Sequence, residues 1–515
     1  MNLVTHLARR AELHPDRIAL IDAERAVSYA ELYKLVCSGS DQLRHDGLSP
    51  GDTVLILQAV SIPLYISLLS AFHSGLTVMF IDPSAGKTMI RNSLSLHQAQ
   101  AFIGTGKAHL LRITIPEIRQ IPKHYHSSGW VPSSKAWKPT SSTPSTPVDT
   151  APDTPALITF TSGSTGMPKA ACRTHGFLLA QHRALAASLD LQDGEVDLIT
   201  LPVFALANLA SGLTSVIAHT DLRYPARVDS QAVFDQCNKH NVTRCAASPA
   251  FFTQLHRDRM MPAFASIYTG GAPVFPDLLS EIQSAHPGMQ VVTVFGSTEA
   301  EPIAHIRWQD TSEHDRNQMV SGKGLLVGHP VSATQLRIIP DQSGKEIGPM
   351  DEAAFNALEL PHGKIGEIVV TGDHVLKGYL HGQGNEESKI HVLSDHSTVW
   401  HRTGDAAWRD QSGRVWLMGR CSAAINSPGQ SPIYPFGIEC AATNFPSVRR
   451  CALLMHQGRV TLVVEGEFTH KQQEALQSQL PHSPVEAFLN VTHIPVDKRH
   501  NAKIDYPELR KSLKK

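Results

Sequence analysis

Thr161-Ser162-Gly163-Ser164-Thr165-Gly166-Met167-Pro168-Lys169 places glycines, four hydroxyl side chains and a lysine in one short loop. Glycine lets the backbone approach a ligand closely and adopt conformations closed to other residues. Successive N–H groups can then turn inward as an anion-binding nest. Hydroxyls donate to phosphate oxygens or ligate a metal, and the lysine adds a mobile positive charge. Upstream, Ala156-Leu157-Ile158-Thr159-Phe160 has the apolar character of a buried strand. The loop is therefore predicted to leave a strand end, where α/β sheets place their ligands. A solvated turn has similar composition and stays open at this point. A Walker A loop is excluded by spacing, because Lys169 follows Pro168 and Gly86-Lys87-Thr88 has Ile81 where its first glycine belongs.

With 515 residues the chain exceeds one hydrophobic core, so two or more domains are expected. A formal net charge of −1 offers no electrostatic footprint for nucleic acid. The seven cysteines (Cys37, Cys172, Cys237, Cys245, Cys421, Cys440 and Cys451) are odd in number and form no CxxC pair. That suits reduced thiols and a cytoplasmic setting. The N-terminus has no signal-peptide core and reads as a short amphipathic helix. From Thr53 to Ile81 no residue is charged, a length able to span a bilayer. Gln58, Pro63, His73 and Gly75 interrupt it, which predicts strand, helix, strand and no integral membrane span.

Further along, Tyr29–Val36 shows helical spacing, while Val54–Leu57 and Val78–Ile81 look like strands. This alternation predicts an α/β class: a large N-terminal domain of layered sheets and helices over 1–420, with a small, mobile α+β domain over 421–515. Residues 123–155, rich in Ser, Thr and Pro, are expected to form an irregular, partly mobile surface excursion. His124 and His126 within it are a weak metal signal beside the reading as a solvated loop. Thr174 is a candidate N-cap for a helix through Phe177. Short strands are expected at Gly366–Thr371 and Arg414–Met418.

Phe295-Gly296-Ser297-Thr298-Glu299 follows an apolar run. A ring, hydroxyls and a carboxylate there can stack a base, bond phosphate and hold Mg²⁺, or simply cap a helix. Asp405 in Thr403-Gly404-Asp405 can accept two sugar hydroxyls or cap a turn. Arg420 is a nearby cation, and Lys503 is either functional or an ordinary exposed lysine.

Taken in order, these segments resemble the adenylate-forming superfamily of acyl-CoA synthetases, peptide-synthetase adenylation domains and luciferases. The resemblance covers nearly the whole chain, including Tyr29-Ala30-Glu31-Leu32, Gly51-Asp52 and Gly270-Gly271-Ala272. It implies ATP and Mg²⁺ as cofactors and a small-molecule carboxylic acid as substrate, activated to an acyl-adenylate with release of pyrophosphate. Thr161, Ser162, Gly163, Ser164, Thr165, Gly166 and Lys169 would hold the β- and γ-phosphates. Gly270, Gly271 and Ala272 would line the adenine site, with Phe295 stacked on the base and Gly296 beside it. Thr298 would meet the α-phosphate, and Thr165 and Glu299 would bind the metal. Asp405 and Arg420 would hold the ribose, and Lys503 would act as the catalytic cation.

The chain departs from the usual pattern at Ala170, at Ala205 after Leu201-Pro202-Val203-Phe204, and at Ser422 in the expected hinge. Pro428 and Pro432 precede Ile433-Tyr434-Pro435, where CoA ligases carry compact glycines. These features, with Asp497–Asp505, are similar to bacterial β-lactone synthetases of olefin biosynthesis. In that chemistry a β-hydroxy fatty acid, once adenylated, closes on itself, so CoA is not required. Thioester transfer to CoA or a carrier protein is the alternative, with carrier or pathway proteins as partners. A silent binding protein on the same fold is disfavoured by Thr165, Glu299, Asp405, Arg420 and Lys503. Leu206–Ala210 and Ile303–His305 are either pocket or core.

Overall fold

The computed structural model describes residues 2–81, 86–162, 168–394, 398–426, 429, 431–480, 482–497 and 503–514. The fold is mixed α/β, in two compact units. The first unit holds residues 1–219 and 373–386, and the second holds 220–372 and 387–515.

In the first unit the uncharged stretch resolves as its punctuation predicts. Strand Thr53–Leu57 leads through helix Ile62–His73 to strand Thr77–Phe80. Pro63 starts the helix, where a missing N–H costs nothing. After their opening threonines both strands are apolar, as suits strands paired in parallel within a sheet. That sheet runs Lys135–Ala136, Lys123–His126, Ala101–Gly104, Thr53–Leu57, Thr77–Phe80, Pro155–Ser162 and Pro168–Thr174. No described helix is long and apolar enough to cross a membrane. The N-terminal helix Val4–Leu13 buries Val4, Leu7 and Ala11 at helical spacing. Ser28 caps helix Tyr29–His45, and Thr174 accepts from Phe177 N–H to cap helix His175–Ser188.

The Ser/Thr/Pro-rich segment 123–155 is not wholly an excursion. Lys123–His126 is a parallel strand of the sheet, paired with Ala101–Gly104. Tyr125 is 1% exposed, donates to Asp46 at 2.9 Å and packs its ring 5.8 Å from Trp137. His124 lies 5.9 Å from the Phe102 ring, and burial pushes its imidazole down to about 4, so it is neutral at physiological pH. The residues between Trp137 and Val148 lack regular structure but are tied down. Thr140 N–H donates to Ser38 at 3.0 Å, Tyr33 O–H donates to Ser145 O at 2.6 Å, and Val148 N–H donates to His73 O at 2.9 Å. No cluster of metal-ligating side chains occurs among the described residues.

In the second unit, strands Arg244–Ala247, Ser266–Gly270 and Gln290–Ser297 are parallel. The chain then turns back into strand Ala300–Arg307, and the sheet continues antiparallel, in spatial order, through Leu325–Pro330, Val415–Arg420, Thr398–Arg409, Gly366–Thr371 and Gln335–Ile339. After Arg420 come helix Pro435–Thr443 and a three-stranded sheet of Val448–His456, Arg459–Gly466 and Ala487–Val491. Ile438, Leu453, Leu462 and Phe468 form its core. Helix Pro435–Thr443 seats on the turn Met319–Lys323, where a Cβ at Gly437 would stand 2.5 Å from Gly322 O. Tyr434 O–H donates to Asp341 at 2.8 Å.

Candidate active site

The phosphate-loop reading falls on an antiparallel hairpin of the first unit. Strand Pro155–Ser162 pairs with Pro168–Thr174, with Thr161 opposite Lys169 and Ser162 opposite Pro168. Gly163, Ser164, Thr165 and Gly166, at the hairpin's tip, lie outside the described residues, as do the side chains of Thr161 and Ser162. Lys169 is shaped from beside. Its Nζ sits 5.6 Å from the Tyr379 ring centroid, and a Cβ at Gly384 would come 2.5 Å from its Cε. Gly384 has φ +90, a conformation that favours glycine, and its missing side chain leaves room for the lysine. Ala170, where relatives usually carry glycine, is 2% exposed inside the sheet, so its methyl simply packs.

In the second unit the expected adenine turn follows a strand end. Gly270 pairs with Val294, and a Cβ on Gly270 would lie 2.2 Å from Val294 O. Gly271 has φ +76, the left-handed region. Ala272 is half-buried after it. Phe295 and Gly296 are half-buried on Gln290–Ser297, and Thr298-Glu299 is the two-residue turn joining that strand to Ala300–Arg307. This segment is a hairpin and not a helix cap.

Asp405 and Arg420 are brought into contact. They lie opposite each other in register on Thr398–Arg409 and Val415–Arg420, with Arg420 Nη1 2.9 Å from Asp405 Oδ1 and the same nitrogen 2.9 Å from Thr403 O. The Asp405 charge holds the Arg420 guanidinium further above its ordinary value, and the Glu299 carboxylate adds to that effect. Asp405 N–H donates to Thr403 Oγ1 at 3.0 Å, and that hydroxyl donates to Ile368 O at 3.1 Å. Gly404 has φ +69, and a Cβ there would be 2.8 Å from Arg420 Nη2. The left-handed conformation at Gly404 favours glycine there.

Lys503 is exposed, and Val496 and Ile504 form a bridge beside it. Its N–H donates to Asp497 Oδ1 at 2.9 Å and its carbonyl accepts from Asp497 N–H at 2.8 Å. These bonds close a loop whose residues 498–502 lie outside the described ones. The loop Asn426–Pro432 is likewise closed at its base by paired Ile425 and Ile433 bonds of 2.9 and 3.0 Å.

Of the two segments read as pocket or core, Ile303 and Ala304 are fully buried core. Leu206, Ala207, Leu209 and Ala210 line an apolar cavity of the first unit with Leu178 and Leu185. Ala205 is fully buried in helix Phe204–Ser211. One pair was not anticipated from sequence. Glu367 and Arg402 stand directly behind the Thr-Gly-Asp segment of strand Thr398–Arg409. The apolar run Ile368–Val370 directly after Glu367 was the available signal, because it puts a carboxylate inside a buried strand.

Comparisons agree with this architecture. Residues 7–380 match the family model described as AMP-binding enzyme. An olefin beta-lactone synthetase of Xanthomonas campestris is 30% identical, across 99% of this chain and 96% of that protein. A 2-succinylbenzoate–CoA ligase of Bacillus licheniformis is 26% identical across 86% of this chain and 84% of its own length. The amide bond synthetase McbA of Marinactinospora thermotolerans shares the fold with TM-score 0.80 at 19% identity, each chain covered to 99%. The chain belongs to the AMP-binding enzyme family and is an ATP-using, adenylate-forming, acyl-activating enzyme.

Proposed function

We propose that this enzyme activates a fatty acid and that, where the acid carries a β-hydroxyl, it closes the adenylate into a β-lactone. In the first step a carboxylate oxygen attacks the α-phosphorus of ATP. An O–P bond forms to give the acyl-adenylate, and pyrophosphate leaves. In the second, the substrate's own β-hydroxyl attacks the acyl carbon, loses its proton, and displaces AMP. The attack is intramolecular and gains from proximity. The observation that carries this reading is the near-full-length likeness to olefin beta-lactone synthetases, which extends past residue 420. Pro428 and Pro432 in the loop before Ile433 add to it, since proline removes N–H groups and stiffens the backbone where a thiol arm would pass.

In this reading Gly270, Gly271, Ala272, Phe295 and Gly296 receive the adenine, Asp405 and Arg420 the ribose, and Thr298 with the 161–169 loop the phosphates. The Glu299 carboxylate supplies hard oxygens that suit Mg²⁺, and Thr165, the other assigned ligand, lies outside the described residues. When bound, Mg²⁺ would neutralise charge on the phosphates. Residues 421–515 act as a small domain that delivers Lys503 to the reacting phosphate, where an ammonium stabilises developing negative charge.

The test supplies ATP and long-chain β-hydroxy acids with and without CoA, and identifies the organic product by mass spectrometry. A β-lactone formed without CoA is expected. A product that forms only with CoA or a carrier thiol would replace the second step with thioester transfer, the activity borne by several relatives' names.

A further inference from the structure

Behind the Thr403-Gly404-Asp405 segment of strand Thr398–Arg409 lies a buried ion pair with no role yet. The Arg402 and Glu367 side chains are 2% and 3% exposed. Glu367 Oε2 accepts from Arg402 Nε at 3.0 Å and Nη2 at 2.6 Å. The other oxygen, Oε1, accepts from the backbone N–H of Gly404 at 3.2 Å. Arg402 spends its remaining donors on Lys345 O at 2.5 Å and Gln342 O at 2.8 Å.

A buried pair of this kind adds little net stability over apolar packing, because two charges have left water. It does fix geometry: two Arg402 N–H groups converge on Oε2 while the Gly404 N–H takes Oε1, so both carboxylate oxygens are held. Here the fixed carboxylate grips one peptide, the left-handed Gly404 unit, from inside the sheet. Arg420 closes the same peptide from outside, bonded to Thr403 O and Asp405 Oδ1. The neighbouring peptide is set by Thr403 Oγ1, which accepts from Asp405 N–H. Asp405 thus projects from an irregular stretch of strand whose backbone is held on both faces. Burial pushes the Glu367 carboxyl up, and Arg402 works against that push.

We propose that Glu367, braced by Arg402, is a positioning residue for nucleotide binding: it fixes the Gly404 peptide and so aims the Asp405 carboxylate at the sugar hydroxyls. This rests on the reading of Asp405 as the ribose ligand. Glutamine at position 367 keeps the shape and an acceptor but loses the charge that orders Arg402 and strengthens the Gly404 bond.

The experiment is calorimetric titration of the full chain with Mg²⁺–ATP and with Mg²⁺–2′,3′-dideoxy-ATP. Wild type is expected to prefer ATP at least about tenfold, the worth of one charge-assisted bond. In Glu367→Gln that preference should shrink to within about threefold while dideoxy-ATP affinity holds. A variant that melts lower but keeps the wild-type preference, or weakens for both nucleotides alike, overturns the proposal and leaves Glu367 a structural residue. Asp405→Ala separates the premise: if it keeps the preference, the ribose reading of Asp405 fails, and not the Glu367 step. Should Glu367→Gln not fold, Glu367→Asp keeps the charge on a shorter arm. It must show the same narrowing, and an unchanged preference there is equally contrary.

Discussion

Asp405 and Arg420 face each other across two antiparallel strands with 2.9 Å between carboxylate and guanidinium. Arg420's side chain remains 54% exposed and Asp405's 17%, so the pair is open to a ligand on one side. Asp405→Ala removes the acceptor and leaves Arg420 only the Thr403 carbonyl. ATP affinity should fall by about tenfold or more, the scale of a lost charge-assisted hydrogen bond. Titration calorimetry showing wild-type affinity would contradict the assignment.

Lys503 is expected to act on the reaction and not on binding. Lys503→Ala should slow acid-dependent pyrophosphate release by about 10²–10³-fold, as loss of one preorganised charge does, with ATP affinity retained. Rapid-quench measurement of pyrophosphate decides it, and an unchanged rate removes Lys503 from the catalytic machinery.

Gly270 has a steric reason to be glycine. An added Cβ would lie 2.2 Å from Val294 O, across the strand pair that carries the adenine turn. Gly270→Ala should cost about 1–3 kcal/mol, read as a lowered melting temperature. Gly288→Ala, with nothing within 4 Å of its added Cβ, is the control and should stay within about 0.5 kcal/mol.

Glu439 gives the enzyme a pH-dependent stability. It is fully buried in helix Pro435–Thr443, and Oε1 accepts from Leu453 N–H at 2.9 Å and Tyr506 O–H at 2.7 Å. Burial pushes its carboxyl from an ordinary 4.5 up to about 7. The folded chain therefore holds a proton that the unfolded chain releases first. The contribution is complete below about pH 4.5 and is lost as pH rises to about 7, at about 1.4 kcal/mol per pH unit. Denaturation followed across that window should show Glu439→Gln declining less steeply than wild type; parallel curves would mean that the carboxyl does not titrate there.

The elements that were legible in the sequence owe their form to local rules. Strand, helix and strand from Thr53 to Phe80 follow from apolar runs broken by Pro63 and Gly75, and the Thr174 cap from its own side chain. Thr403-Gly404-Asp405 and Gly419-Arg420 stood out because glycine marks backbone demands that are local too. Lys123–His126 was missed because a buried strand containing lysine and two histidines carries a loop's composition. Its place is set by Phe102, Asp46 and Trp137, which are distant in sequence. Glu367 and Arg402 were missed for the same reason, being 35 positions apart and joined only when their strands pair.

The central claim is chemical: ATP is cleaved at its α-phosphorus by a carboxylate. Isotope exchange between labelled pyrophosphate and ATP, with purified enzyme, Mg²⁺ and a panel of fatty and β-hydroxy fatty acids, tests it most directly. Label should enter ATP only when an accepted acid is present, with AMP as the nucleotide product. Absence of exchange with every acid, or ADP in place of AMP, would contradict it.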